Sequence, residues 1–184
     1  MARNDKATLV VSTGRFYTGT VGSDAPTDPK AVDPSWEDVG HTSLEDVLSF
    51  SSEGGDATTL GTLQAPQHRT KYSARTEAFA LTLQQFDEDS LKLFYGSNAT
   101  VGTTGNIQIP TNPTPTECAF YAVLEDGENT FEIYAPRCEI FRGDDFQISD
   151  TESLASLPIT VKPLVHGENN WLYEISPLGG TVTP

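Results

Sequence analysis

A chain of 184 residues with 36% apolar side chains is long enough for a real core but sits at the low edge of globular composition, so long polar loops or arms are expected. Its 26 acidic residues against 11 basic ones leave a net charge of −15, which argues against a protein that grips nucleic acid through its phosphates. Two cysteines, Cys118 and Cys138, make no disulfide scaffold; buried free thiols in a reducing compartment are expected, facing each other if their strands pair.

No apolar run is long enough to span a membrane, and no charged-then-apolar leader opens the chain, so a protein made in the cytoplasm that stays soluble is expected, with any route out of the cell not the secretory one. The charge is uneven. Residues 24–56 hold nine acids and one base, and residues 125–152 hold nine acids and two bases, whereas residues 57–75 hold Arg69, Lys71 and Arg75 and no acid. Opposite patches of this kind can dock copies of a chain on one another, and they also occur as ordinary surface variation.

In chain order, residues 1–6 are polar. Leu9, Val11 and, beyond Gly14, Phe16 predict a strand or a bent pair within residues 7–20. Pro26, Pro29 and Pro34 then break regular pairing, with Trp36 and Val39 as anchors of that loop into the core edge. Residues 46–53 predict a short strand with Leu48 and Phe50 on its apolar face. Residues 54–72 show little periodicity after Gly54 and Gly55. A structureless loop of that length inside a domain is unusual. Either it is disordered or a partner holds it, and Leu60 and Leu63 favour the partner; Thr59–Leu63 could instead form a hairpin tip.

The period changes within residues 75–95. Phe79, Leu81 and Leu83 alternate as on a strand, then Leu91, Phe94 and Tyr95 fall on one helical face. Asp87 is the expected N-cap, Glu88 and Asp89 suit the positive helix end, Phe86 and Leu91 match a hydrophobic staple, and Gly96 offers the stop.

Residues 97–117 read as loop, with Ile107 and Ile109 as a possible edge strand. Phe120, Ala122 and Leu124 then share one strand face. A turn at Asp126–Gly127 leads into residues 130–135, with Phe131 and Ile133 inward and Glu132 and Tyr134 outward. Residues 138–141 and 146–148 flank a second hairpin candidate at residues 142–145. Ile159 and Val161 mark a strand over residues 157–165 that Pro158 and Pro163 push towards an edge or bulge. Trp171, Tyr173 and Ile175 mark another, followed by a Gly- and Pro-bearing tail. Short strands with Gly- and Pro-rich connections predict a sandwich or barrel carrying one helix.

Catalytic and cofactor motifs are missing. His41, His68 and His166 share no zinc spacing with each other or with the cysteines, and no phosphate-binding glycine loop or nucleophile elbow occurs. The acids at residues 87–89 and 144–145 could bind calcium or serve in glycoside hydrolysis, but a helix cap and a solvated turn explain them more simply. Arg142-Gly143-Asp144 spells an adhesion tripeptide that nothing else supports. What remains is a β-domain with long uncommitted loops and polar ends, the equipment of an assembly subunit; a carbohydrate- or protein-binding β-module, with Trp36 and Trp171 as its aromatic platform, is the other reading.

Over most of its length the sequence resembles the major tail proteins of long, non-contractile-tailed bacteriophages, the subunits of the tail tube. The likeness rests on Val21–Gly22, Ala25–Pro26–Thr27, Trp36 and Val39–Gly40 after the first strand, on FALTLQQFDEDSLKLFYG in the middle, and on the hairpin-rich second half. Within the family it points to phages of actinobacteria. The resemblance implies a mainly β, tail-tube-like barrel or sandwich over residues 1–184 with one flanking helix at about residues 87–95. It implies hexameric rings stacked into a tube around a tape-measure protein, bounded by tail-tip and tail-terminator proteins, with double-stranded DNA passing through unbound. It implies a virion protein, assembled in the host cytoplasm, without catalytic residue, cofactor, metal or membrane. The loop at residues 54–72, with Leu60, Leu63, Arg69 and Lys71, and the terminal arms, residues 1–7 and 178–184, would reach the adjacent ring. Glu77, Glu132 and Glu139 are candidates for an acidic channel wall. A tail terminator or head–tail joining protein, or the inner tube of a contractile tail, can share the fold. The loop at residues 97–117 matches no fixed element of the family.

Overall fold

The computed structural model describes residues 3–4, 7–146, 148 and 151–178, so most of both expected terminal arms lies outside the described residues. Twelve strands and one helix follow in order: β1 (Thr13–Gly19), β2 (Glu37–Asp38), β3 (Ser49–Gly54), β4 (Ala57–Leu60), β5 (Arg69–Tyr72), β6 (Arg75–Leu83), α1 (Glu88–Tyr95), β7 (Thr100–Val101), β8 (Ile107–Gln108), β9 (Thr116–Asp126), β10 (Asn129–Arg142), β11 (Leu157–Pro163) and β12 (Glu174–Ile175). The fold is mainly β with one helix.

The main sheet runs β2-β1-β9-β10-β11-β6-β3, with β12 beside the first half of β10. It curls, because Phe16 of β1 and Phe79 of β6 both lie beside the Phe120 ring of β9, at 6.3 and 6.4 Å. The segment after β2 links the two ends of the curl. Val39 donates to the Phe16 carbonyl, then Ser43 donates to Thr82 and Gln84 donates to His41. The core inside the curl holds Phe16, Phe79, Leu81, Leu83, Phe120, Ile140, Leu157, Ile159 and Val161.

One element covers that core. Asp87 accepts the Ser90 N–H and caps α1; Gly96, at φ 106, ends it with its N–H on the Lys92 carbonyl. Leu93 and Phe94 are buried beneath the helix. Phe86 turns its ring towards Phe146 at 6.3 Å. The strand, the cap and the stop fall where the sequence predicts them, but of the expected face Leu91, Phe94 and Tyr95 only Phe94 is fully buried, with Leu93 taking the place beside it.

The outer face of the sheet is also covered. Tyr17, Trp36, Ala119, Tyr121 and Val123 form a second buried cluster, flanked by Val32 and Tyr134. The proline-rich segment before β2 folds back over β9 to make it. Trp36 lies 5.8 Å from the Tyr121 ring, and the Tyr134 hydroxyl donates to the Ser23 carbonyl. Strand β9 is therefore buried on both faces from Cys118 to Leu124.

Several expectations change. Strand β10 is one 14-residue strand, carried past Pro136 by a bulge between Ala135 and Cys138, so residues 130–135 and 138–141 do not belong to separate hairpins. Its C-terminal half pairs with β11, and Phe146 packs on Phe94; Gln147, within the strand expected at residues 146–148, lies outside the described residues. Strand β11 lies inside the sheet despite its prolines. The Pro158 carbonyl accepts the Gly143 N–H where β10 ends, and Pro163 is the last residue of its strand, so neither missing N–H interrupts the ladder. The turn after β9 uses Gly127 and Glu128, since Asp126 pairs with Asn129. Residues 97–117 contain a small β7–β8 hairpin that pairs Val101 with Ile107 and leaves Ile109 outside it. Cys118 and Cys138 are free, buried and opposite each other across β9 and β10, with their sulfurs 3.6 Å apart. The neighbouring thiol and burial push the Cys138 pKa far up.

Candidate assembly surface

The stretch from Ser49 to Ala80 is built differently from the rest. Pairing runs from Ser49 opposite Ala80 to Gly54 opposite Arg75, and from Ala57 opposite Tyr72 to Leu60 opposite Arg69, in one unbroken register. The Gly55 and Ser73 N–H groups bond across the join between β3 and β4. The expected loop at residues 54–72 is therefore the outer part of a β-ribbon. From the Ser52–Glu77 pair to the Leu60–Arg69 pair it extends roughly 26 Å. Its tip is residues 61–68, closed by mutual hydrogen bonds between Thr62 and Ala65. Gly54 and Gly55 sit consecutively at φ 82 and 74. A Cβ on Gly54 would lie 2.3 Å from the Ala74 carbonyl oxygen, so both the conformation and the space require glycine.

Every residue of β3, β4 and β5 is exposed. Phe50, expected on an inward face, lies over Phe79 and Tyr173 at the ribbon's base but remains half in solvent. Tyr173 fastens the same base: its hydroxyl donates to Glu77 at 2.7 Å, and burial with that bond pushes its pKa up to about 12. A two-stranded ribbon with neither face covered is marginal by itself, and its free edges invite a partner.

The register sorts the outer ribbon into two faces. Leu60, Arg69, Thr58 and Lys71 share one; Ala57, Thr59, Thr70 and Tyr72 share the other. Arg69, Lys71 and Arg75 form no ion pair among the described residues, while Arg15, Lys92, Arg137 and Arg142 are each bonded to a carboxylate. Leu63, at the tip, is 93% exposed. The structure thus brings Leu60, Arg69 and Lys71 onto one face and holds Leu63 just beyond it.

The three acids considered for a channel wall are not on one surface. Glu132 and Glu139 lie on the outer face of β10, because the bulge keeps Ile133, Ala135, Cys138 and Ile140 inward on either side of it. Glu132 accepts from the Tyr121 hydroxyl at 2.6 Å beneath the folded-back segment; burial and this carboxylate push the Tyr121 pKa far up. Glu139 stands in register with Lys162 and Glu117. Glu77 is on the other face, in line with Phe79 and bonded to Tyr173.

The described residues hold no cluster of three or more metal-ligating side chains and no helix long and apolar enough to cross a membrane. A groove of about 520 Å³ between α1 and β1–β2 carries Glu37, Asp38, Asp87 and Asp89, but Asp87 caps the helix and Asp38 accepts the Gly40 N–H. Trp36 is only 6% exposed and offers no aromatic platform. Arg142 of the adhesion-like tripeptide lies over the Phe94 ring and is paired with Asp145.

The described residues thus form a curled β-sheet with one packed helix and a long uncovered ribbon, and no catalytic constellation among them. The sequence profile of phage tail tube proteins matches residues 1–177. The major tail protein Gp23 of Mycobacterium phage D29 is 33% identical over 200 aligned positions, covering 98% of this chain and all of that protein. Gp23 of Mycobacterium phage L5 is 33% identical over 190 positions, covering 95% and 94%. The chain belongs to the phage tail tube protein family, and it is a structural subunit of the virion tail.

Proposed function

We propose that six copies of this chain form a ring and that rings stack into a hollow tube of a long non-contractile tail. The tube is laid down in the host cytoplasm around a tape-measure protein, between tail-tip and tail-terminator proteins, and double-stranded DNA later slides through it. The number six and the named partners come from the family resemblance, and the mycobacteriophage relatives favour an actinobacterial host. The observation that carries the stacking is the ribbon: Leu60, Leu63, Arg69 and Lys71 stand clear of the body, uncovered and unpaired, on a chain whose remaining surface is strongly acidic. Of the acids considered for the channel wall, Glu139 on the outer face of β10 is the one kept, where negative charge would keep DNA from sticking; Glu132 lies beneath the folded-back segment, bonded to Tyr121. Glu77 belongs to the ribbon's base instead.

Negative-stain microscopy of the purified protein at rising concentration, with light scattering, tests this directly. Rings or hollow tubes are the expected result, and Arg69→Glu with Lys71→Glu abolishes stacking. A strict monomer, together with antibody labelling at one end of the virion tail and not along it, would replace the tube by a terminator or joining role.

A further inference from the structure

The molecule carries a second uncovered surface, at the far end of the strand from which the ribbon leaves. The ribbon departs at the Arg75 end of β6. At the other end, beside Thr82 and Gln84, a groove of about 620 Å³ lies between residues 43–46 and Asp145, Ser153, Leu154 and Ser156. From Arg75 to Gln84 the chain advances nine residues, roughly 30 Å at strand spacing.

The groove joins exposed apolar groups to acids. Leu44 is 94% exposed and Leu154 is 72% exposed, although both line it. Leu44 is pushed outward because the chain takes seven residues from Thr42 to Ser49 while β6 takes only three from Leu83 back to Ala80. Glu45 and Asp46 stand beside it, and neither carboxylate has a hydrogen-bond or ion-pair partner among the described residues. Leucines left in water next to uncompensated carboxylates are the complement of Leu60 and Leu63 beside Arg69 and Lys71.

We propose that this groove receives the ribbon tip of the next copy, Leu63 and Leu60 against Leu44 and Leu154, and Arg69 and Lys71 against Glu45 and Asp46. This rests on the reading that the ribbon mediates assembly and names the surface it lands on. The two surfaces are different patches at opposite ends of one strand. Their contact is head-to-tail, and such contacts repeat without closing, as a growing tube requires.

Cross-linking between two full-length variants tests it. One carries Leu63→Cys and the other Leu154→Cys; both positions are exposed, and the native thiols are buried. The expected result is a disulfide-linked dimer, formed with copper-catalysed air oxidation, at least about tenfold more abundant in the mixture than in either variant alone. Equal yields in the mixture and the separate samples would overturn the groove. A charge-swap series separates this failure from failure of the ribbon reading. Asparagine tolerates the φ of 51 found at Asp46, so the groove variant is Glu45→Lys with Asp46→Asn. It is expected to block tube growth and to restore growth when combined with Arg69→Glu and Lys71→Glu. If the ribbon variant stops growth and the groove variant does not, the groove is wrong and the ribbon reading stands. Normal growth of the ribbon variant would remove both.

Discussion

Strand β9 and the β3–β6 ribbon lie in the same chain under opposite conditions. From Cys118 to Leu124, β9 has no exposed side chain on either face. From Ser49 to Thr76, the ribbon has no buried one. Both are antiparallel, and β9 pairs with β1 in as unbroken a register as the ribbon strands pair with each other, so backbone pairing does not distinguish them. The difference is what each was given to bury: β9 offers seven apolar residues in a row, while the ribbon offers threonines, serines, glycines and charges with a few isolated apolar groups. Burial, and with it the means of fold stability, is concentrated in β9 and its neighbours, and the ribbon is left with side chains that nothing in the fold covers.

The largest effect expected from that division is at the centre of β9. Phe120 is fully buried between Phe16 and Phe79. Phe120→Ala removes a ring that both neighbours pack on and is expected to cost about 3–5 kcal/mol, read as a lower urea midpoint. A loss below about 1 kcal/mol would show that β9 is not the stabilising centre.

On the other face of the strand, Tyr121→Phe keeps the ring packed on Trp36 and deletes the hydroxyl bonded to Glu132. The Glu132 carboxylate then loses its bond to that hydroxyl beneath the folded-back segment. The expected cost is about 1.5–3 kcal/mol, since the bond is to a charged group and its loss leaves a half-buried carboxylate short of a donor. An unchanged urea midpoint would mean that water enters the outer cluster freely.

The comparison also explains what could be read in advance. The β6–α1 junction was legible because each half obeys a period: Phe79, Leu81 and Leu83 at spacing two, then Leu91, Phe94 and Tyr95 on a helix capped by Asp87, although the structure buries Leu93 with Phe94 and leaves Leu91 and Tyr95 half-buried. The outer core was missed because reading only Phe120, Ala122 and Leu124 assigned one face to β9. The run Ala119, Tyr121, Val123 between them was the available signal, since uninterrupted apolar residues mark a strand covered on both sides. Trp36 was legible as an anchor, an aromatic residue at the end of a polar, proline-rich loop, but nothing local says that it lands on the outer face of β9. Pro136 concealed the length of β10, because a bulge that absorbs a proline leaves no pattern of its own. The ribbon was hidden for the opposite reason: with neither face buried, alternation carries no apolar signal, and only Leu60 and Leu63 argued against a free loop; the alternative of a hairpin tip at Thr59–Leu63 was near the mark, since β4 ends at Leu60 and the tip follows it.

A smaller effect tests the helix that closes the inner core. Asp87→Ala removes the cap and is expected to cost about 1 kcal/mol at neutral pH. Bonds from the Ser90 backbone, and then from its side chain, hold the Asp87 carboxyl below its ordinary value of 3.8. A carboxylate lowered in this way stabilises the fold above the unfolded value, and the contribution fades as pH falls from about 3.8 through the lower folded value. The gap between native and variant unfolding free energies should therefore be constant near neutrality and close below that range. A gap independent of pH would assign the loss to helix propensity and not to the charged cap.

The smallest expected effect on stability is the one that decides the comparison. Residues 57–72 can be replaced by a two-residue Asn-Gly turn between Asp56 and Ser73, a pair that already faces across the ribbon through the Ser73 N–H and the Asp56 carbonyl. Sixteen residues leave, including Leu60, Leu63, Arg69 and Lys71, yet none of them is buried in the core. Unfolding free energy should change by no more than about 0.5 kcal/mol, as for surface changes remote from packed features. Tube formation should disappear, because Leu60, Leu63, Arg69 and Lys71, the groups proposed to meet the next copy, leave with the ribbon. A variant that folds and no longer stacks puts assembly and stability in separate parts of one sheet. A variant that melts early would mean that the ribbon's base, where Phe50, Phe79 and Tyr173 meet, needs the outer strands to hold it, and the two regions would then share one cooperative unit.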